Sequence, residues 1–191
     1  MCIRDRVGGP GHNSFFWVGE ELFTAYHSLV SPEEKDGLRQ LCYDRAGFHA
    51  DGTPYINGPT LAPQLVPLKE LGRENKSRYA CVCPPALNDG DIALCALSKG
   101  RVWRGTHASI RFDRPVSAEM IVIYPGDNGS EKGYLLLNSD RSMAVDLSAI
   151  GQLPGRNLVL TFCETKLWTL DLFFEKEASL SEVMIVGKAE P

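Results

Sequence analysis

The sequence predicts a mainly β protein: an antiparallel β-sandwich of about eight strands over residues 78–191, preceded by a short helical segment within residues 7–77. Three observations predict it. Beyond Arg78, apolar residues fall into short runs or alternations, as in Ala108-Ser109-Ile110-Arg111-Phe112 and Met120-Ile121-Val122-Ile123-Tyr124. Clusters such as Asp113-Arg114-Pro115 and Pro125-Gly126-Asp127-Asn128-Gly129 separate those runs as turns. Before Arg78, Ser31-Pro32-Glu33-Glu34 has the form of a helix start, with Ser as N-cap, Pro at the first position and Glu34 closing a capping box.

The first six residues, Met1-Cys2-Ile3-Arg4-Asp5-Arg6, are what ATG-TGT-ATA-AGA-GAC-AG encodes, a string resembling the end of a transposase-based sequencing adapter. They are set aside from the fold, and the expectation is a gene cut at its 5′ side. Gly8-Gly9-Pro10-Gly11-His12-Asn13-Ser14 then opens toward an expected helix, a geometry that offers backbone N–H groups to a phosphate. It weakly resembles the Gly-rich loop of some glycosyltransferases, although it has no Walker A lysine.

Phe15-Phe16-Trp17-Val18 followed by Leu22, Phe23 and Tyr26 has the spacing of one amphipathic helix ending near Val30. The helix begun at Ser31 would carry Leu38, Leu41 and Cys42 on its apolar face and stop near Gly47. Phe48 to Pro67 is dense in turn residues and reads as a functional loop or linker. Leu65 to Leu71 suits one helical turn, and charged Arg73-Glu74-Asn75-Lys76 marks the expected domain boundary.

The strands expected after it are Tyr79 to Cys83, Ala108 to Phe112, Met120 to Tyr124, Tyr134 to Leu137, Met143 to Leu147, Leu158 to Phe162, Leu167 to Phe174 and Val183 to Val186. Short strands joined by turns without intervening helices argue for an antiparallel sandwich, and their number is the jelly-roll count. Trp168 alternates with Leu170 and Leu172, which places it in or near the core.

Composition narrows the function. With 43% hydrophobic and 23% charged residues the chain is an ordinary globular one. The formal charge of −4 becomes −5 without the first six residues (18 basic, 23 acidic), which disfavours a phosphate backbone as partner. No apolar run approaches the ~20 residues that span a bilayer as a helix. Cys42, Cys81, Cys83, Cys95 and Cys163 form an odd, irregular set, expected as buried small hydrophobes rather than a disulfide framework or zinc knuckle. No nucleophile motif or pair of carboxylates is placed for acid–base work. Glu164, Asp171, Glu175 and Glu177 read as solvated strand faces.

Three pieces together resemble the galactose-binding-like family of β-sandwiches, which includes discoidin-type modules and many carbohydrate-binding modules. They are Asn88-Asp89-Gly90-Asp91 with Trp103 downstream, His107 to Val116, and Ser181-Glu182-Val183-Met184-Ile185-Val186-Gly187. Ile92-Ala93-Leu94-Cys95 departs from the Thr and Trp often found after the family's acidic turn. The resemblance implies a structural Ca²⁺ tying that turn to the closing strand. Asp89, Asp91 and Glu182 would supply carboxylates and the Gly-containing turn would supply carbonyls. It also implies a ligand site in the loops at one end, where Arg101, Trp103, His107, Asp127, Asn128 and Arg141 are the candidates for gripping a glycan through an aromatic face and planar polar groups. The expected function is non-catalytic carbohydrate binding within a larger protein. The alternatives are a C-terminal piece of a glycan-active enzyme such as a glycosyltransferase, and a protein-binding adhesion or structural sandwich.

Overall fold

The computed structural model describes residues 10–19, 21–29, 37–48, 52–56, 59, 67–90, 102–126, 131–150 and 157–190. It is built from strands. β1 (Gly11–Val18), β2 (Glu21–Leu29), β3 (Arg39–Phe48) and β4 (Pro54–Ile56) form one antiparallel sheet in chain order. β5 (Arg73–Asn75), β6 (Trp103–Pro125), β7 (Lys132–Leu137), β8 (Arg141–Asp146) and β9 (Leu158–Lys188) form the rest.

The first sheet overturns the expected helices. Among the described residues the helical elements are 3₁₀ turns of three or four residues. The Phe15–Tyr26 spacing satisfies a helical period, yet its aromatic residues also favour strands. Gly19, at φ +59°, reverses the chain so that Phe16 pairs with Phe23 and Trp17 with Leu22. Leu38 and Leu41, expected on a buried helix face, are 82% and 79% exposed. On β3 the buried residue is Asp44, which accepts the Tyr26 hydroxyl at 2.7 Å. The Ser31–Glu34 capping box lies outside the described residues. Of the Gly-rich loop, Gly8 and Gly9 lie outside them too, while Gly11 and Ser14 pair with His27 and Ala25 as β1 and offer no helix N-terminus to a phosphate.

The remaining strands make a two-layer sandwich because β6 and β9 double back within their length. In every stretch of their pairing the partner number falls as the residue number rises, so each contact is locally antiparallel. Residues 107–111 of β6 pair with 169–173 of β9, which pair in turn with β7, and β7 with β8. Residues 120–123 pair on one side with 158–161 and on the other with 183–186, and β5 adds to 186–188. Among the described residues, two layers of four strands follow. Ile110, Leu135, Leu137, Leu170 and Leu172 from the first meet Ile121, Ile123, Val183 and Ile185 from the second, each at most 1% exposed. Burying one such side chain stabilises by about 1.5–3 kcal/mol, so this interleaving is the main source of stability.

Three further expectations need correction. Tyr79 to Cys83 is not a strand: Lys76–Tyr79 is a 3₁₀ turn capped by Asn75, whose Oδ1 accepts from Ser77 N at 3.1 Å, and only Val82 bridges, to Arg111. Pro84 and Pro85 lack the N–H groups that would continue a ladder. Cys81 and Cys163 are exposed rather than buried. Trp168 is 49% exposed while Leu167 is fully buried. The pairing slips here, from Val116↔Leu167 to Arg111↔Thr169, and a bulge of this kind turns one side chain to the other face. Asn138, at φ +53°, fixes it. Its Oδ1 accepts from Trp168 N at 2.8 Å and Thr169 N at 3.3 Å, and its Nδ2 donates to Lys166 O at 2.8 Å.

Candidate functional site

The acidic turn and the closing strand meet. Leu87 is fully buried and anchors the turn, Asn88 Nδ2 donates to Ser77 O at 3.4 Å, and Gly90, at φ +79°, donates its N–H to Glu182 Oε2 at 3.0 Å. Glu182 is 2% exposed, opposite Tyr124. Its neighbourhood is marked electrostatically: burial pushes the Cys83 thiol up to about 12, and the Glu182 charge adds to the effect. Among the described residues no group of three His, Cys, Asp or Glu gathers as metal ligands. Asp91 lies outside them.

Trp103 and the described residues beside three other candidates come together at one end of the sandwich. Trp103 opens β6 and tilts against Phe174, with centroids 6.3 Å apart and planes at 44°. Arg101, Asp127 and Asn128 lie outside the described residues, but the residues beside them touch. A Cβ built on Gly126 would come within 2.9 Å of Val102 Cγ1, and Gly126 N donates to Ser179 O at 2.6 Å. Pro125 and Trp103 share Leu180 as a register partner. Trp103 in turn needs Gly105, where a Cβ would lie 2.8 Å from the indole Cζ2.

The other two candidates are elsewhere. Arg141 opens β8 at the opposite end of its layer, opposite Leu137, with its guanidinium 5.6 Å from the Phe162 centroid. His107 stands on the outer face of the first layer. Its ring stacks on Phe173 at 4.5 Å and 15°, Phe173 stacks on Tyr134 at 5.0 Å and 19°, and Asp171 Oδ1 lies 3.5 Å from His107 Nε2. Sequence reasoning missed Phe173 and Tyr134. The available signal was an aromatic residue at the outward position of each of three strands.

A cleft of about 500 Å³ also opens between the first sheet and the sandwich, bounded by Glu21, Arg45, Arg73, Glu74 and Arg78. Its arginines are committed to ion pairs: Arg45 with Glu21 at 2.9 Å, Arg73 with Glu119, and Arg78 with Glu74.

No protein-family model matches the chain, and no curated protein matches it. Solved structures do. Among them are carbohydrate-binding modules. A pectin-binding module overlaps 53% of this chain and 78% of its own at 16% identity and a TM-score of 0.39. The CBM32 module of AlyQ, in complex with 4,5-unsaturated mannuronic acid, overlaps 56% and 90% at 12% identity and 0.41. A truncated AlyQ holding CBM32 and alginate lyase domains overlaps 59% and 32% at 14% and 0.43. The sandwich assignment rests on the strand registers, not on these overlaps.

Proposed function

We propose that the sandwich is a non-catalytic carbohydrate-binding module whose ligand site is the end that holds Trp103 and Gly126. The observation that carries this reading is the contact of Val102 with Gly126, which brings two loop-bearing segments beside a half-buried indole. An indole fixed on one side by Phe174 offers apolar area at little entropic cost, and polar side chains of the adjoining loops would supply directional hydrogen bonds. In this reading Arg101, Asp127 and Asn128 serve Trp103, while His107 and Arg141 lie apart from it.

Calcium is the proposed structural ion at the acidic turn. Asp89 and Glu182 would contribute carboxylates, with turn carbonyls and Asp91 completing a hard oxygen set. The Gly90–Glu182 hydrogen bond supports it by holding the turn against the closing strand. When bound, the ion would offset the charge of a buried carboxylate.

The test is native affinity electrophoresis through gels containing pectin, alginate, galactan or xylan, in calcium and in EDTA. Pectin is in the panel because one similar module is pectin-binding, and alginate because another was solved with 4,5-unsaturated mannuronic acid. The expected result is retardation by at least one polysaccharide, loss of it in Trp103→Ala, and a lower melting temperature in EDTA. A wild type retarded by none of them overturns the binding reading. An unchanged melting temperature overturns the calcium reading.

A further inference from the structure

The aromatic row on the outer face ends in a step. His107, Phe173 and Tyr134 are cross-strand neighbours in register, followed on β8 by Ala144. Neighbouring strands lie about 4.8 Å apart. Centroid spacings of 4.5 and 5.0 Å with near-parallel planes therefore mean that the rings stack along the direction that crosses the strands, each standing on edge from the sheet. The inner ring faces are used up within the stack. The face of Tyr134 turned toward β8 has no ring partner among the described residues, and the side chain there is the small, exposed Ala144. Tyr134 is 45% exposed.

The border of this step is polar. On one side Lys132 and Asp146 pair across the strands at 3.5 Å, and Ser148 hydrogen bonds hold the Asp146 carboxyl below the ordinary range. On the other side lies exposed Ser142, opposite Leu136. An apolar ring face, a floor one methyl deep and hydrogen-bonding groups at both margins match a sugar ring, which has apolar C–H faces and a hydroxylated rim. The flanking pair is internally neutral, which suits hydroxyls rather than a carboxylate.

We infer that the step formed by Tyr134 and Ala144 is a second glycan subsite, taking one neutral pyranose ring of a chain that crosses the strands, with Lys132, Asp146 and Ser142 bonding its hydroxyls. It rests on the carbohydrate-binding reading above but occupies a different surface, the sheet face rather than the loop end. Because strand pairing sets the ring spacing, the site is preformed and binding orders little.

The test is an amide-shift titration of ¹⁵N-labelled protein with cellopentaose, mannopentaose and xylopentaose. At least one should shift the Tyr134, Ala144 and Ser142 amides. Tyr134→Ala should weaken that pentaose about tenfold, whereas Tyr134→Phe, which keeps the ring face, should bind nearly as wild type. Ala144→Leu fills the step at an exposed position and should abolish the shifts without changing the melting temperature. Trp103→Ala should leave them in place. The inference is overturned if no pentaose moves these amides, or if folded Ala144→Leu binds as wild type. Gel retardation lost in Trp103→Ala, with no pentaose shifting the Tyr134, Ala144 and Ser142 amides, would leave the loop-end site standing and remove this one. Retardation by no polysaccharide would remove both.

Discussion

Glu74 offers the sharpest test of how the sandwich is held shut. On β5 its carboxylate takes the ammonium of Lys76 at 2.5 Å, the Tyr79 hydroxyl at 2.8 Å, the Arg78 guanidinium and the Glu190 N–H at 3.3 Å. Burial alone would raise its pKa; these hydrogen bonds outweigh burial and lower it from the ordinary 4.5 to about 2. At about 1.4 kcal/mol per tenfold change in proton affinity, that difference stabilises the fold by about 3 kcal/mol at neutral pH. A depressed carboxylate contributes fully above its unfolded pKa and loses the contribution as pH falls through its folded value, so the window runs from about 4.5 down to about 2. Glu74→Gln removes the charge and leaves Lys76, which is fully buried, beside an amide, with Glu190 Oε1 at 3.8 Å as its remaining acidic partner. Breaking one side of a buried pair costs about 3–5 kcal/mol. The residual amide acceptor puts the expected loss near the lower figure, or about 10 °C of melting temperature for a chain of this size. Urea unfolding at about pH 7 and about pH 3 measures it. The gap between wild type and variant should shrink by more than half at the lower pH. A gap independent of pH, or a variant as stable as wild type, would refute the reasoning.

Two further substitutions probe the backbone. In Gly187→Ala the new methyl would lie 1.8 Å from Ser117 O, so a strand must move; the expected loss is about 1–3 kcal/mol, read as a melting temperature lower by about 6 °C. Asn138→Ala removes the three side-chain hydrogen bonds to the Trp168 bulge and leaves an alanine at φ +53°. It should lower stability by about 2–3 kcal/mol and change Trp168 emission measured against a Trp168→Phe control, while Asn138→Gly should recover the part due to backbone strain.

The sandwich was legible because its strands obey a period of two and its turns carry Asp, Asn, Gly and Pro. Met120–Tyr124 reads as a continuous apolar run because it is an inner strand of its layer, with residues 120–123 paired on both edges. The first sheet was not legible. Phe15, Phe16, Leu22, Phe23 and Tyr26 fit helical spacing equally well, and what decides for strands is a glycine reversal plus cross-strand pairing with β3, both non-local. Trp168 was misplaced for a related reason: the slip that turns it outward is imposed by Asn138, thirty residues away in sequence. In the acidic turn, sequence paired Asn88–Asp91 with Glu182, and the hydrogen bond from Gly90 is the contact that joins them.

The two proposed glycan surfaces would be neighbours, and this constrains how they would work together. His107 lies four residues along β6 from Trp103, about 13 Å at the rise of a strand, and Tyr134 stands three residues beyond Glu131, where the 126–131 connection enters β7. A glycan chain leaving the Trp103 end toward that connection would therefore pass onto the face that carries Tyr134. The stacked rings owe their spacing to the strand ladder. Two such subsites would favour a long chain over a single sugar, since the second contact would be made at the high effective concentration set by the first.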